Sequence, residues 1–314
     1  MKKFVTLLWS AIFVFGLNHF CSSQSKELAK LMDNPDKLRK SVLVQLGELR
    51  KIQIKKGWAK EEDYKLPQRV GLLTFVVNDK AKTVTHVSSS VTTTSRTKRT
   101  SEALSLYANH LYSKTIDGIK ASFTSRGMNL LEIDDYLDTE EKSSIYDSYQ
   151  LKELKAVKAF DGLTGAGNSG PAQGYRNMTL PYFGAMPKAI KERDAFFESL
   201  NLDAVLIVTI EMDSFRDSFW LIKADLLYKN PARTEKRIPY GKYHEAIVSR
   251  LRTDPYAKKP LYEGIHVLGE ETYHTKKGKS KTRKVINGFD PNFYSIINKV
   301  VDFAAERLHT YVEG

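Results

Sequence analysis

The chain has 314 residues, 49 Lys and Arg against 37 Asp and Glu, a formal charge of +12 and a single cysteine. At this length about 75% of the unfolded chain's surface can be buried, so no staple is needed, and one cysteine argues against a small disulfide-bonded scaffold. The basic balance suits anionic lipid head groups, wall polymers or acidic proteins.

Lys2 and Lys3 precede an apolar run from Phe4 to Leu17, which gives way to polar Cys21-Ser22-Ser23-Gln24-Ser25. Such a run fits the apolar core of an export signal and is shorter than the ~20 residues that a helix needs to span a bilayer. The chain is therefore expected to be exported, to a periplasmic or secreted location, where genomic DNA is not the partner. Small residues at Cys21 and Ser23 favour a cut before Gln24, making residues 1–23 a cleaved signal peptide. A lipid anchor at Cys21 is the less favoured reading, because Asn18-His19-Phe20 lack the small residues that a lipoprotein signal places there.

Residues 24–68 read as a helical extension and connector. Asn34-Pro35-Asp36 is a helix start, and Leu38, Val42, Leu46 and Leu49 continue one apolar face to about Ile52. That face packs on the body or docks to a membrane or partner. Lys55 to Gln68 is polar and is read as the connector.

Residues 69–314 read as one α/β domain. Val70 to Val77 has the length and composition of a buried strand, with Asn78-Asp79-Lys80 as turn chemistry. Thr83 to about Thr97 reads as one long Ser/Thr-rich strand. A helix from Ser101 to Arg126 carries Leu104, Tyr107, Leu111, Thr115, Ile119 and Phe123 on one stripe and stops at Gly127. Met128 to Ile133 is a short strand ending in Asp134 and Asp135, and Ser143 to Phe160 is helical. Gly162 to Gly184 reads as an irregular loop. A helix at Lys188 to Ser199 leads into the apolar strand Ala204 to Ile210, with Phe219 to Tyr228 as its antiparallel partner. Gly241 to Arg252 reads as a helix, and Tyr262 to Ile286 as an extended segment with a basic tip. Asp290-Pro291 caps a last helix whose Phe293, Ile297, Val300, Ala304, Leu308 and Tyr311 share a face. The fold class is α/β, with α+β as the alternative, built on a mixed sheet of about five or six strands packed with helices.

Several patterns carry chemistry only in outline. Gly165-x-Gly167-x-x-Gly170 lacks the buried strand and following helix of a dinucleotide site. His244-Glu245 opens like a zinc-protease helix, but Val248 stands where the second histidine is required. No Gly-x-Ser-x-Gly elbow is present. The sequon at Asn177 bears only on a eukaryotic secretory route. Asp134 and Asp135 follow one strand, Glu211 and Asp213 another, and parallel neighbours would let these carboxylates converge on a cation or act as acid and base. Lys276, Lys277, Lys279, Lys281, Arg283 and Lys284 compose an anion-binding patch or a solvated hairpin tip.

The order of elements, with Val70-Gly71-Leu72-Leu73-Thr74-Phe75, Arg126-Gly127-Met128-Asn129-Leu130-Leu131-Glu132 and Asn201-Leu202-Asp203-Ala204-Val205-Leu206-Ile207-Val208, resembles curli-transport lipoproteins of the CsgG type and LpoB-like or TolB-N-terminal-like envelope domains. The resemblance covers about half of the chain and implies a non-catalytic domain that binds envelope proteins or forms oligomers. The chain departs from it at the lipidation site and in the Ser/Thr-rich Thr83 to Thr97 segment, which has no lipid-facing stripe for a barrel. The expectation is thus an exported, non-enzymatic interaction or assembly module with no cofactor or metal. Its partners would be envelope proteins, anionic lipid or wall polymer, with homo-oligomer formation left open. The alternative is an envelope enzyme or cation-binding protein using the strand-end carboxylates.

Overall fold

The computed structural model describes residues 29–45, 49–79, 83–87, 92–96, 101–149, 172–174, 187–213, 218–231, 242–243, 245–252, 261–263, 268–274 and 279–314. The chain enters through helix α1 (Pro35–Ser41), where the Asn34 side chain accepts from Lys37 N–H at 2.9 Å and Pro35 opens the first turn. Strand β1 (Val42–Gln45) and helix α2 (Leu49–Lys55) follow, then a 3-10 turn at Glu61–Asp63. The single helix expected through Ile52 is therefore interrupted. Val42-Leu43-Val44 suits a strand as well as a helix, and the edge of a later strand offers an unpaired row of backbone groups that periodicity cannot foresee. Leu38 and Val42 are buried as that face required.

Strand β2 (Val70–Asp79) is buried nearly throughout and continues past the turn expected at Asn78, because Asn78 and Asp79 still pair with a neighbour. Strands β3 (Thr83–Val87) and β4 (Thr92–Arg96) form a separate antiparallel pair, so the one long strand expected there is a hairpin. Helix α3 (Ser101–Thr124) buries the whole predicted stripe from Leu104 to Phe123. Gly127, at φ 73°, closes it in the left-handed region, with Met128 N–H donating to Phe123 O and Gly127 N–H to Thr124 O.

The next strand, β5 (Leu130–Leu131), is shorter than expected. Asp134 and Asp135 do not end it: they open helix α4 (Ile133–Tyr136), where Asp135 accepts from Glu132 N–H at 2.8 Å. Helix α5 spans 140–149 and starts ahead of the expected Ser143; 150–160 lie outside the described residues. Of the loop expected at 162–184, only β6 (Ala172–Gly174) is described, paired with β2. Helix α6 (Pro187–Ser199) precedes β7 (Ala204–Asp213) and its antiparallel partner β8 (Ser218–Tyr228), as expected. Where a helix was expected to Arg252, the chain forms β9 (Glu245–Arg252). Buried Ile247, Ser249 and Leu251 alternate at period two, and β9 pairs with β8 on one side and β1 on the other. Last come β10 (Tyr262–Glu263), β11 (Leu268–His274), β12 (Ser280–Ile286) and helix α7 (Pro291–Glu313), capped by Asp290 as expected.

The central sheet runs β1-β9-β8-β7-β2-β5, with β10 paired to β8 and β6 to β2. It is mixed: β2 is parallel to β5 and β7, and the other pairs are antiparallel. The α/β class is as expected. Alternation along β7 sends Ala204, Leu206, Val208, Ile210 and Met212 to the core shared with α3 and α7. Val205 and Ile207 go to a second core with Tyr136, Tyr146, Phe196 and Phe197. The sheet therefore lies between two helical layers.

An irregularity in β2 changes its phase. The register with β7 skips Leu73, so Val70 and Leu72 before it, and Phe75 and Val77 after it, all face the α3–α7 core. Leu73 itself faces the second core. The carbonyls at this bulge are taken by two buried tyrosines, Tyr136 donating to Leu72 O at 3.1 Å and Tyr146 to Leu73 O at 3.2 Å. Among the described residues no helix is long and apolar enough to cross a membrane.

Candidate interaction surface

β11 and β12 pair over seven residues as a two-stranded sheet of their own, outside the central sheet. Glu270 to Thr272 and Ser280 to Arg283 are exposed. The register sets Glu271 opposite Arg283, Glu270 opposite Lys284 and Tyr273 opposite Lys281. Arg283 donates twice to Glu271, from Nε at 2.9 Å and Nη2 at 2.8 Å, while both side chains stay more than half exposed. An exposed pair of this kind contributes at most about 1 kcal/mol and orders the ribbon more than it stabilises it. Of the predicted patch, Lys279 and Lys281 are exposed and Lys284 is half-buried; Lys276 and Lys277 lie outside the described residues.

The ribbon is rooted in aromatic packing. Ile286 packs on the main core, and three residues later Phe289 stacks on Phe293 at 5.4 Å and meets Phe219 edge-on at 5.5 Å. Tyr294 accepts from Phe289 N–H at 2.9 Å and shares a 2.8 Å bond with His110 Nε2. Burial, then the Lys114 charge, push His110 below the usual imidazole range.

The strand-end carboxylates do not converge. β5 and β7 flank β2 on opposite sides, with Gly71 opposite Leu131 and Asn78 opposite Glu211. Tyr136 holds α4 at the level of Leu72. Six residues of β2 then separate Asp134 and Asp135 from Glu211, about 20 Å at the strand's rise per residue. Asp213 lies one step beyond Met212, its backbone paired with Ser218. Among the described residues, no group of three or more His, Cys, Asp or Glu is placed to hold a metal ion. Glu245 begins a strand rather than a helix, and His244 and the glycines at 165, 167 and 170 lie outside the described residues.

Other ionisable groups are engaged in joining elements. Glu132 accepts from both Tyr112 and Lys120, tying β5 to α3, and this hydrogen bond leads the causes that raise Lys120. Burial alone would raise Glu198, but hydrogen bonds from Lys242 and Lys229 outweigh it and hold the carboxyl low. Burial pushes Asp225 up despite Lys223 at 2.6 Å. Burial likewise carries the Tyr228 hydroxyl up to about 12.

A second exposed patch spans the end of the face expected to pack or dock, at Lys51 and Ile52, and the start of the stretch expected to connect, at Lys55, Lys56 and Trp58. Ile52 is 42% and Trp58 40% exposed, and Lys51, Lys55 and Lys56 are exposed around them. Its signal was legible, since Trp58 follows Gly57 in a lysine-rich run where a connector needs no indole. Comparison of the chain with protein families, with curated proteins and with solved structures finds no match in any of the three.

Proposed function

We propose that the chain is an exported, non-enzymatic protein of the cell envelope that works as an interaction or assembly module, with the β11–β12 ribbon as its contact surface. The observation that carries this reading is the ribbon itself: two paired strands outside the central sheet, exposed at Glu270 to Thr272 and Ser280 to Arg283, with Lys279, Lys281 and Arg283 on the exposed part. An isolated two-stranded hairpin is marginal in water, so the exposed part of the ribbon gains order from what it touches. Its partners in this reading are other envelope proteins with acidic surfaces, and the resemblance to envelope domains belongs to the same proposal. A two-stranded ribbon outside the central sheet also suits pairing with a strand of a partner, including a second copy of the chain.

The test is a photo-crosslinking residue at Thr282, an exposed ribbon position, introduced in cells and read by mass spectrometry of the envelope fraction. A discrete protein adduct that disappears when Lys276, Lys277, Lys279 and Lys281 are changed to Ser supports the reading. If Thr282 gives no adduct and the lysine variant functions as the parent does, the ribbon is a solvated tip and the reading fails.

A further inference from the structure

Among the described residues the large exposed apolar side chains are Ile52 and Trp58, one in α2 and the other just past its end. At about 100° per residue, Lys51, Lys55 and Ile52 fill the outward arc of α2, while Gln53 and Ile54 turn inward. Gly57, at φ 64°, ends the helix: Trp58 N–H donates to Gln53 O at 2.8 Å and Gly57 N–H to Ile54 O at 2.9 Å, which sets the indole beside the last turn. Lys56 follows Ile52 by one turn and lays its Nζ 4.6 Å from the centre of the Trp58 ring. Lys51, Lys55 and Lys56 have no ion-pair partner among the described residues, whereas Lys60 bridges to Glu62 at 3.4 Å.

The patch is held from behind. Gln53 is buried and accepts from Tyr64 at 2.5 Å and from Asn230 at 3.3 Å. Arg50 donates to Tyr311 O at 3.2 Å and stacks over the Tyr64 ring. Little ordering is left for a partner to impose.

From this arrangement we infer that the Lys51–Trp58 face docks on an anionic lipid surface. An indole and an isoleucine ringed by ammonium groups match the head-group region, where tryptophan settles at the boundary and lysines meet phosphate. A protein partner fits less well, because lysine is depleted from the cores of protein interfaces. Glu61, Glu62 and Asp63 on the next turn are exposed and repel the same lipid, so contact is confined to the α2 side. The inference does not depend on the ribbon.

The full chain recovered from cells is sedimented with vesicles of phosphatidylcholine alone and of phosphatidylcholine with phosphatidylglycerol, at low and high salt. Binding is expected only to the anionic vesicles, weakening as salt rises. Lys51→Ser, Lys55→Ser and Lys56→Ser are each expected to lower partitioning about fivefold, and Trp58→Ser with Ile52→Ser about tenfold. In a Trp9→Phe and Trp220→Phe background, which leaves Trp58 as the sole tryptophan of the three, brominated lipid should quench its fluorescence. The ribbon lysine variant should bind vesicles as the parent does, which keeps this result separate from the ribbon's. Equal binding to neutral vesicles, unchanged binding of the Lys51, Lys55 and Lys56 variants, or an unquenched Trp58 overturns the inference, and a protein crosslinked at this face without lipid binding replaces it.

Discussion

Replacing Tyr136 by phenylalanine removes one oxygen from a fully buried ring and leaves its shape unchanged. The hydroxyl donates to Leu72 O at 3.1 Å, and Leu72 is 1% exposed, so no water can take its place. A buried acceptor that loses its donor costs about 1–3 kcal/mol, and we expect about 2 kcal/mol for Tyr136→Phe. Tyr146→Phe, at the adjacent carbonyl, should cost a similar amount, and the pair should be less than additive because both act on one bulge. Tyr228→Phe is the internal control. Its hydroxyl donates to Lys65 O at 2.8 Å, but that bond is only part-buried, so less is lost with it and about 0.5 kcal/mol is expected. Urea denaturation followed by far-ultraviolet dichroism, with a common slope for all variants, reads these differences directly. Thermal midpoints should fall by roughly 5 °C for Tyr136→Phe and by about 1 °C for Tyr228→Phe. A Tyr136→Phe variant within 0.5 kcal/mol of the parent (about the control's loss), or a Tyr228→Phe variant that loses as much, would refute the claim that tyrosine hydroxyls complete β2 at its bulge.

Two further outcomes follow from charge and from processing. Glu198 is held below its ordinary range, so its contribution is present above the unfolded glutamate pKa and is lost as pH falls through the lower folded value. Glu198→Gln should therefore cost about 0.5–1 kcal/mol at pH 7, discounted because Lys229 and Lys242 are partly exposed, and little below about pH 4; a difference that grows in acid contradicts the assignment. Intact-mass and N-terminal analysis of protein from its native cells should find a chain that starts at Gln24 and carries no acyl group, and a diacylated Cys21 would return the lipid-anchored reading.

Long, strongly periodic segments were legible in the sequence. The stripe from Leu104 to Phe123 and the face from Phe293 to Tyr311 are buried as read, because a helix that long must bury one side whatever its partner. Asn34, Asp290 and Gly127 also marked their helix ends, since caps act on their own backbone. Shorter segments were decided by their neighbours. Val42–Gln45 and Glu245–Arg252 both carry apolar residues that suit either period, and they became strands because β8 had an edge for β9 and β9 then had one for β1. The same holds for the site. Composition located the basic tract at Lys276 to Lys284, but only the pairing placed Glu270 and Glu271 across from Lys284 and Arg283. Local sequence put Asp134, Asp135 and Glu211 at strand ends, and only the register of β2 with β5 and β7 set them about 20 Å apart, because separation along a sheet depends on which residues pair.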